Sequence, residues 1–251
     1  MGMLDGKVAL VTGGGQGVGQ GIAFALAKEG AAIAVTGRTL SKLESTCREI
    51  EKRGGRARPF ACDVKSAESL AATVDAVVAA FGTIDILVNN AQEVPLGPLE
   101  AVTDEVFAAG WESGPLASFR LMKLCRPHLR GGGVIVNLGS TATRRWDMSN
   151  YGCYAAVKEA IRSLSQAAAC EWGAEGIRTN VILPHAKSPG LEGWIERNPE
   201  EAEAFFATIP MRRVGECEED IGAFVALLCS DGSRYVNGQS IAIDGGQAYM
   251  G

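Results

Sequence analysis

The chain has little of the chemistry on which metal-dependent and histidine-dependent hydrolases rely. It contains only two histidines, His128 and His185, and neither an HExxH nor a GxSxG pattern. This weighs against a zinc protease and against a serine hydrolase with a histidine base. The seven cysteines are scattered with no CxxC pair, so neither a zinc cage nor a disulfide framework is indicated. We predict no metal site.

Long hydrophobic runs and an excess of positive charge are also missing. No apolar stretch approaches the roughly 18–20 residues that cross a bilayer, and the first strand pattern begins too early to leave room for a signal peptide. Acidic side chains outnumber basic ones by 29 to 24, which is the wrong sign for a protein that binds nucleic-acid phosphates. We therefore expect a soluble cytoplasmic protein that binds neither nucleic acid nor a membrane.

Glycine is abundant, with 32 of 251 residues, and it separates short runs rich in Val and Ile from longer helical patterns. The runs are nearly continuously apolar, which is typical of strands buried on both faces of a parallel sheet. Strand and helix alternate, which predicts an α/β fold: a single-domain doubly wound parallel sheet, Rossmann-like, with about seven strands, helices on both faces and the domain spanning residues 1–251. The predicted strands are 7–12, 31–36, 57–61, 84–88, 134–138, 177–183 and 240–243, and the predicted helices are 17–29, 41–53, 66–81, 104–129, 154–172 and 218–229.

The alternation breaks in the segment 184–214, which contains Trp194 and four prolines. This segment starts beyond the carboxyl end of a predicted strand, where folds of this kind bind their ligands. A long connection in that place is typical of a lid or binding loop. We predict a substrate lid within 184–214, and a plain surface insertion is the alternative.

The first predicted strand ends in a glycine-rich turn that runs directly into a helix. Glycines let the backbone approach a ligand closely, and the start of a helix offers free N–H groups to a pyrophosphate. The pattern is TGxxxGxG, without the Lys-Ser/Thr of a Walker A loop and without a literal GxGxxG. Its place between strand and helix predicts a dinucleotide turn, although a merely flexible turn is the alternative. The predicted cofactor contacts here are Gly13, Gly15, Gln16, Gly17, Val18 and Gly19.

The end of the second predicted strand indicates which dinucleotide is bound. About 20 residues after such a turn, NAD-binding units place an Asp or Glu on the ribose diol, but the stretch 35–39 contains no carboxylate. Arg38 in that stretch can clamp a 2′-phosphate with its planar guanidinium. We therefore predict NADP(H) in preference to NAD(H). A solvated Arg38 is the alternative, and Gln16 gives the turn no second positive charge.

Three side chains have the types and spacing needed for proton transfer at an oxygen. Tyr154 and Lys158 are four residues apart, on one face of a predicted helix. A nearby cation favours phenolate and would lower the tyrosine pKa from about 10 toward the working pH, as a general acid or base requires. Ser140 stands at the end of the fifth predicted strand, where its hydroxyl can bond a substrate oxygen. A helix-surface pair without function is the alternative for Tyr154 and Lys158.

With these motifs in this order, the chain resembles the short-chain dehydrogenase/reductase family over nearly its whole length. The glycine turn is similar to the family's cofactor turn, and Ser140, Tyr154 and Lys158 are similar to its catalytic residues. The resemblance implies that Tyr154 exchanges a proton with the substrate oxygen, that Ser140 stabilises that oxygen, and that Lys158 lowers the tyrosine pKa and holds the nicotinamide ribose. It adds Asp63, Val64, Asn90, Ala91, Tyr154, Lys158 and Pro184 to the predicted cofactor contacts.

The chain departs from the family pattern at three positions. Gln92 and His185 stand where the resemblance implies Gly, and Gly114 stands where it implies an Asn that serves a proton relay. Gln92 and His185 can tighten the substrate pocket, take over part of the relay, or indicate weak catalysis. For His185 a loop position without contact to ligand is a further alternative. The predicted substrate pocket comprises Gln92, Arg145, Trp146, His185 and Trp194.

The sequence therefore predicts an oxidoreductase that transfers a hydride between NADP(H) and a ketone or secondary alcohol. The aromatic pocket residues favour a hydrophobic or ring-containing substrate. The alternative is a catalytically impaired dinucleotide-binding sensor or scaffold of the same fold, and a cofactor-independent lyase or dehalogenase is disfavoured because the glycine turn is complete. The resemblance further implies a homo-oligomer, a tetramer or dimer built on helix faces.

Overall fold

The computed structural model describes residues 2–144, 150–248 and 250. Within them, seven parallel strands form one sheet in the order β3-β2-β1-β4-β5-β6-β7. The strand order reverses between β1 and β4, and open sheets of this kind bind ligands beyond the carboxyl ends of the strands at that point. The strands are β1 (Val8–Thr12), β2 (Ala32–Gly37), β3 (Arg56–Ala61), β4 (Ile86–Asn89), β5 (Val134–Leu138), β6 (Arg178–Pro184) and β7 (Ser240–Ile243).

Helices cover both faces of the sheet, as the alternating pattern predicts. Because side chains alternate across a strand, Ala9 and Val11 of β1 belong to one buried cluster and Val8 and Leu10 to another. The first cluster includes side chains of α1, α2 and α9, and the second includes side chains of α3, α5 and α6. The helices are α1 (Gly17–Lys28), α2 (Leu40–Lys52), α3 (Ala67–Phe81), α4 (Asp104–Trp111), α5 (Ala117–Leu129), α6 (Gly152–Trp172), α7 (Pro189–Arg197), α8 (Pro199–Thr208) and α9 (Ala223–Cys229).

Local sequence explains where the helices begin and end. The Ser66 hydroxyl accepts a hydrogen bond from the Ser69 N–H at 3.1 Å and caps the start of α3. Gly82 ends the same helix with a φ of +89°, a left-handed conformation that glycine adopts without a Cβ clash. These two residues account for the observed bounds of α3, which fall within one residue of the predicted ones.

The predicted helix 104–129 is wrong in one respect, because a wide π-helical turn, Glu112–Leu116, separates α4 from α5. Pro115 lies inside this turn and has no N–H to donate, so the ordinary α-helical ladder cannot run through it. The predicted helix 218–229 likewise begins with a π-helical turn, Cys217–Gly222. That turn packs closely on α1, since a Cβ on Gly222 would lie 2.6 Å from the carbonyl oxygen of Gly21.

The long connection after β6 folds into two short helices, α7 and α8. Pro189 and Pro199 stand at their first positions, where a missing N–H leaves no hydrogen bond unmade. Ser188 caps α7 by accepting a hydrogen bond from the Leu191 N–H at 3.3 Å. These prolines therefore begin helices here. Within the described ranges, no helix has both the length and the apolar character needed to cross a membrane.

Candidate active site

Ser140 and Tyr154 come together at the carboxyl edge of the sheet. Ser140 follows β5 by two residues, and Tyr154 lies in the first turn of α6. The Ser140 hydroxyl lies close enough to the Tyr154 phenol to lower its pKa by hydrogen bonding. The Ser140 Oγ also accepts a hydrogen bond from the Ala142 N–H at 3.2 Å, which fixes the serine at the start of the following turn. The structure therefore places the two predicted oxygen-binding groups side by side.

Lys158 lies one helical turn further along α6 and is 4% exposed. Its Nζ donates a 2.6 Å hydrogen bond to the Leu138 carbonyl and lies 5.5 Å from the centre of the Tyr154 ring. The i, i+4 spacing thus brings the ammonium under the phenol, as predicted. All three predicted catalytic residues occupy one small region between β5 and α6.

The predicted lowering of the tyrosine pKa is wrong for this structure. Burial raises the pKa of Tyr154 to about 12, against a smaller lowering by the hydrogen bond with Ser140. Burial also lowers the pKa of the Lys158 ammonium to about 7. Both shifts have one cause, since a low-dielectric environment favours the neutral form of each group. Burial of the site therefore opposes the charged form of both groups, the phenolate as well as the ammonium.

A chain of buried amides and hydroxyls fastens α6 to the sheet beneath the site. The Asn89 Nδ2 donates to the Asn137 Oδ1 at 2.7 Å, and the Asn137 Nδ2 donates to the Ser165 Oγ at 2.7 Å. Ser165 donates in turn to the Ile161 carbonyl at 2.7 Å. These contacts connect β4, β5 and α6, so they hold Tyr154 and Lys158 against the strand that leads to Ser140. This network was not predicted, because its members are ordinary polar residues within strand and helix patterns.

The glycine turn packs closely against the connection that follows β4. Gly13 has a φ of +66°, and a Cβ there would lie 2.7 Å from the Asn90 Nδ2. Asn90 reaches across the turn and donates to the Thr12 carbonyl at 2.9 Å. The Thr12 hydroxyl in turn accepts hydrogen bonds from the N–H groups of Asn90 and Ala91. Asn90 and Ala91 therefore join the end of β4 to the predicted phosphate turn.

The start of α1 fits the phosphates of a dinucleotide. Gln16, the residue preceding the helix, makes no capping hydrogen bond with its side chain, and the first turn holds no acidic residue. The first N–H groups of any helix have no partner within it, and with Gly17, Val18 and Gly19 the backbone there is unobstructed by long side chains. The Gln16 side chain instead accepts a hydrogen bond from the Lys42 Nζ, so α2 brings a positive charge beside the turn. These features suit a pyrophosphate.

An ion cluster lies at the end of β2, and of its three members only Arg38 was predicted. Arg38 is exposed, and its Nη1 lies 3.1 Å from the Glu93 Oε1. The Lys65 Nζ lies 3.1 Å from the same oxygen. The stretch 35–39 has no carboxylate of its own, but the fold supplies one from a position 55 residues further along the chain. Glu93 could not be predicted as a partner of Arg38 without the strand order, which places β4 two positions from β2 in the sheet.

The remaining predicted cofactor positions lie at the same edge of the sheet. Asp63 is exposed, and its Oδ1 accepts a hydrogen bond from the Lys65 N–H at 3.1 Å. Val64 is buried in the cluster that covers the second face of the sheet. Pro184 is the last residue of β6 and pairs with Ile243 of β7. These three predicted contacts therefore lie at the end of a strand or in the connection that follows one.

Two of the three departures from the family pattern, Gly114 and Gln92, lie in contact with each other. A Cβ on Gly114 would lie 2.8 Å from both the Cδ and the Nε2 of Gln92. The Gln92 amide thus fills the space that a side chain at 114 would occupy, and its Oε1 and Nε2 are buried without a hydrogen-bond partner in the described structure. Ser113, beside Gly114, accepts a 2.9 Å hydrogen bond from the Glu93 N–H. A side-chain amide therefore does lie beside position 114. It belongs to Gln92, in the connection after β4, whereas the resemblance implies an Asn at position 114 itself.

The predicted pocket residues on the lid form an aromatic cluster around Phe205. The His185 ring lies 5.4 Å and the Trp194 ring 6.0 Å from the Phe205 ring, both edge to face. Phe205 was not predicted as a pocket residue, although it lies within the predicted lid segment 184–214. Arg145 and Trp146 lie outside the described residues. Within the described part of the chain, no cluster of His, Cys, Asp and Glu side chains could hold a metal ion.

Comparison with known proteins agrees with this geometry. Residues 13–248 match the family model described as enoyl-(acyl carrier protein) reductase. The chain is 40% identical over 255 residues to a 12alpha-hydroxysteroid dehydrogenase from a Clostridium species, and the match covers 98% of each protein.

Solved structures share the whole fold. A 7 alpha-hydroxysteroid dehydrogenase complexed with NADH and 7-oxo glycochenodeoxycholic acid superposes with a TM-score of 0.92 at 32% identity, covering 98% of this chain and 96% of the other. An actinorhodin polyketide ketoreductase variant with NADPH gives a TM-score of 0.92 at 30% identity, covering 100% of both chains.

Proposed function

Because the chain belongs to the short-chain dehydrogenase/reductase family of oxidoreductases, we propose that it transfers a hydride between NADP(H) and a ketone or secondary alcohol. The observation that carries the proposal is the arrangement of Ser140, Tyr154 and Lys158. A phenol beside a serine hydroxyl, with the lysine Nζ 5.5 Å from its ring centre, can bind one substrate oxygen and move one proton.

The three residues have separate roles in this proposal. Ser140 bonds the substrate oxygen and fixes its position beside Tyr154. The Tyr154 hydroxyl gives its proton to that oxygen as a carbonyl becomes a carbinol, and takes it back in the reverse direction. With its pKa raised to about 12, the phenol is protonated at neutral pH and ready to act as the donor. Lys158 positions Tyr154 from below and binds the nicotinamide ribose.

The cofactor site in this proposal extends from the glycine turn to the end of β2. The nicotinamide, when bound, supplies the hydride or accepts it. The backbone from Gly13 to Gly19 and the start of α1 hold the pyrophosphate, and Asn90, Ala91, Asp63, Val64 and Pro184 line the rest of the site. Arg38 and Lys65 form a positive cluster that supports binding of a 2′-phosphate and so favours NADP(H).

We propose a hydrophobic, ring-containing substrate that enters a single domain covered by a lid within 184–214. The aromatic cluster of His185, Trp194 and Phe205 supports this, because edge-on rings offer flat apolar walls. Gln92 lines the inner side, and Arg145 and Trp146 are proposed for the outer side. The similarity to proteins named as hydroxysteroid dehydrogenases supports a fused-ring alcohol or ketone as the first compounds to test.

We propose that the protein works in the cytoplasm as a homo-oligomer, a tetramer or dimer. Four large apolar side chains on α4 and α5 are between 37% and 44% exposed, which is a surface that a second copy would cover. Light scattering on the purified protein measures the molar mass directly. The exposed side chains are Val106, Phe107, Trp111 and Phe119.

A second candidate function is a dinucleotide-binding sensor or scaffold that has lost catalysis. The observation that favours it is Gly114, which leaves the helix without the implied relay amide, while the Gln92 amide found there has no hydrogen-bond partner in the described structure. Cofactor binding without turnover over a broad panel of ketones and secondary alcohols would support the sensor.

Initial rates over that panel, followed by nicotinamide absorbance with NADPH and NADH, test the enzyme proposal. We expect turnover of at least one cyclic compound, and a loss of about 10²–10⁴-fold in kcat for Ser140→Ala with the Kd for NADPH unchanged.

A further inference from the structure

We infer that Glu93 is a specificity-determining residue that weakens binding of the adenosine 2′-phosphate and so limits the preference for NADP(H). Its carboxylate neutralises Arg38 and Lys65, the two cations that the proposed function assigns to that phosphate. The inference rests on the proposed cofactor site, but it concerns a residue that neither composition nor the local motif at β2 identifies.

The geometry that carries the inference is one oxygen shared by two cations. The Glu93 Oε1 lies 3.1 Å from the Arg38 Nη1 and 3.1 Å from the Lys65 Nζ. Arg38 follows β2, Lys65 comes four residues after β3, and Glu93 comes four residues after β4. Three separate connections at the carboxyl edge of the sheet therefore converge on a single carboxylate oxygen, at the end of the strand where dinucleotide folds recognise the adenosine ribose.

The backbone of Glu93 is fixed independently of its carboxylate. Its N–H donates a 2.9 Å hydrogen bond to the hydroxyl of Ser113, which is 2% exposed and also bonds the Ala109 carbonyl. The connection after β4 is thus anchored to α4 and the π-helical turn through the main chain. Replacing the carboxylate by an amide of the same shape leaves this anchor in place, so the charge can be tested without moving the segment.

The charge balance sets the direction of the effect. Arg38 and Lys65 together carry two positive charges, and Glu93 cancels one of them at close range. A phosphate monoester carries about −1.5 to −2 charges at neutral pH, so it gains most from both cations and is repelled by the carboxylate. A ribose without a 2′-phosphate carries no charge there and responds little to this balance. Glu93 therefore weakens NADPH binding selectively.

The size of the effect follows from the exposure of the cluster. The side chains of Arg38, Glu93 and Lys65 are 65%, 34% and 30% exposed, so water screens their interactions strongly. We expect Glu93→Gln to tighten NADPH binding about three- to tenfold and to change NADH binding less than about twofold. Added salt reduces the gain, because it screens the same charges.

Calorimetric titration of NADPH and NADH into the purified full-length protein tests the inference. Glu100→Gln is the matched control, since Glu100 is an exposed acid on the same connection and makes the same change in net charge. Arg38→Met and the double variant Arg38→Met/Glu93→Gln complete a double-mutant cycle, which measures the coupling between the two side chains in NADPH binding. We expect the gain from Glu93→Gln to shrink in the Arg38→Met background and to be absent in Glu100→Gln.

The outcomes separate this inference from the proposed function. If wild type binds NADPH no better than NADH, the proposed preference is wrong, yet a selective NADPH gain in Glu93→Gln still supports the role of Glu93. If wild type prefers NADPH and Glu93→Gln leaves both affinities unchanged, the inference is overturned while the proposed function stands. Weaker NADH binding in Glu93→Gln without an NADPH gain also overturns it, because Glu93 would then be a ligand of the ribose hydroxyls.

Discussion

The Lys158 ammonium donates a 2.6 Å hydrogen bond to the main-chain carbonyl of Leu138. This contact joins α6 to the last residue of β5, two residues before Ser140. It lets a buried lysine satisfy one of its three donors while its Nζ stays 5.5 Å from the centre of the Tyr154 ring. The lysine therefore holds the strand and the helix of the site in register, in addition to its proposed contact with cofactor.

The lowered pKa of Lys158 predicts a specific pH dependence of stability. Burial lowers this pKa from 10.5 to about 7, so between these values the unfolded chain binds a proton that the folded chain does not. The stability that the fold gains by keeping Lys158 neutral is therefore fully present above pH 10.5. The free energy of unfolding falls as the pH is lowered from 10.5 toward 7. At about 1.36 kcal/mol per pKa unit, this contribution amounts to at most about 5 kcal/mol.

Urea unfolding of wild type and Lys158→Met across this pH range measures that contribution. We expect the difference in unfolding free energy, wild type minus variant, to increase from pH 7 to pH 10.5. Lys123→Met is the control, since Lys123 is exposed on α5 and should leave the pH slope unchanged. If the free energy of unfolding changes with pH equally in wild type and Lys158→Met, the lysine keeps an ordinary pKa in the fold.

Asn137 is expected to be a stability determinant beneath the site. Its side chain is fully buried and bonds both Asn89 and Ser165 at 2.7 Å. Asn137→Leu leaves the buried Asn89 amide without this acceptor, which should lower the free energy of unfolding by about 2–4 kcal/mol. Denaturant unfolding measures the loss, and Gln166→Leu on the exposed face of α6 is the control, with an expected change within about 0.5 kcal/mol. Equal losses in the two variants would show that the network does not stabilise the fold.

Gly114→Ala is expected to affect catalysis far more than stability. The new Cβ would meet the end of the Gln92 side chain at 2.8 Å and displace its amide, while alanine itself favours a helix by up to about 1 kcal/mol. We expect an unchanged or higher Tm and a fall in kcat similar to that of Gln92→Ala. The double variant should lose no more than either single one, because both changes remove one amide from one place. Additive losses in steady-state kinetics would contradict this.

Phe205→Ala tests the aromatic lid. The Phe205 ring contacts the rings of both His185 and Trp194, so its loss should loosen the wall proposed for the substrate. We expect KM to rise about tenfold for a fused-ring ketone, little change for a small aliphatic ketone, and an unchanged Kd for NADPH. Tyr235→Ala is the control, since Tyr235 is a fully exposed aromatic residue. An equal rise in KM for both ketones would show that the cluster does not sort substrates by size.

Much of the fold could be predicted because its central strands, β1, β4 and β5, are buried along their whole length and are therefore nearly continuously apolar. The edge strands β3 and β7 are less buried, but the alternation of strand and helix still predicts them, and β5 (Val134–Leu138) and β7 (Ser240–Ile243) have the predicted bounds. The turn at Glu112–Leu116 could not be predicted in the same way. Its amphipathic pattern continues that of a long helix, and only the missing N–H of Pro115 marks the change.

The site was predictable where it depends on neighbours in sequence. Tyr154 and Lys158 meet because they are four residues apart, and the glycine turn forms because β1 leads directly into α1. The ion pair of Arg38 and Glu93 joins residues 55 positions apart, so it depends on the strand order. The direction of the tyrosine pKa shift was missed because spacing reports a nearby cation but does not report how deeply both groups are buried.

Transfer of deuterium to a cyclic ketone from NADPH that carries deuterium at both C4 positions, read by mass spectrometry of the product alcohol, tests the central claim most directly. We expect wild type to give a product heavier by one mass unit, and Tyr154→Phe to retain NADPH binding but give no labelled product. Labelled product from Tyr154→Phe at the wild-type rate would contradict the assignment of proton transfer to Tyr154. Tight NADPH binding with no labelled product from wild type, over the whole panel of ketones, would contradict the proposed oxidoreductase activity itself.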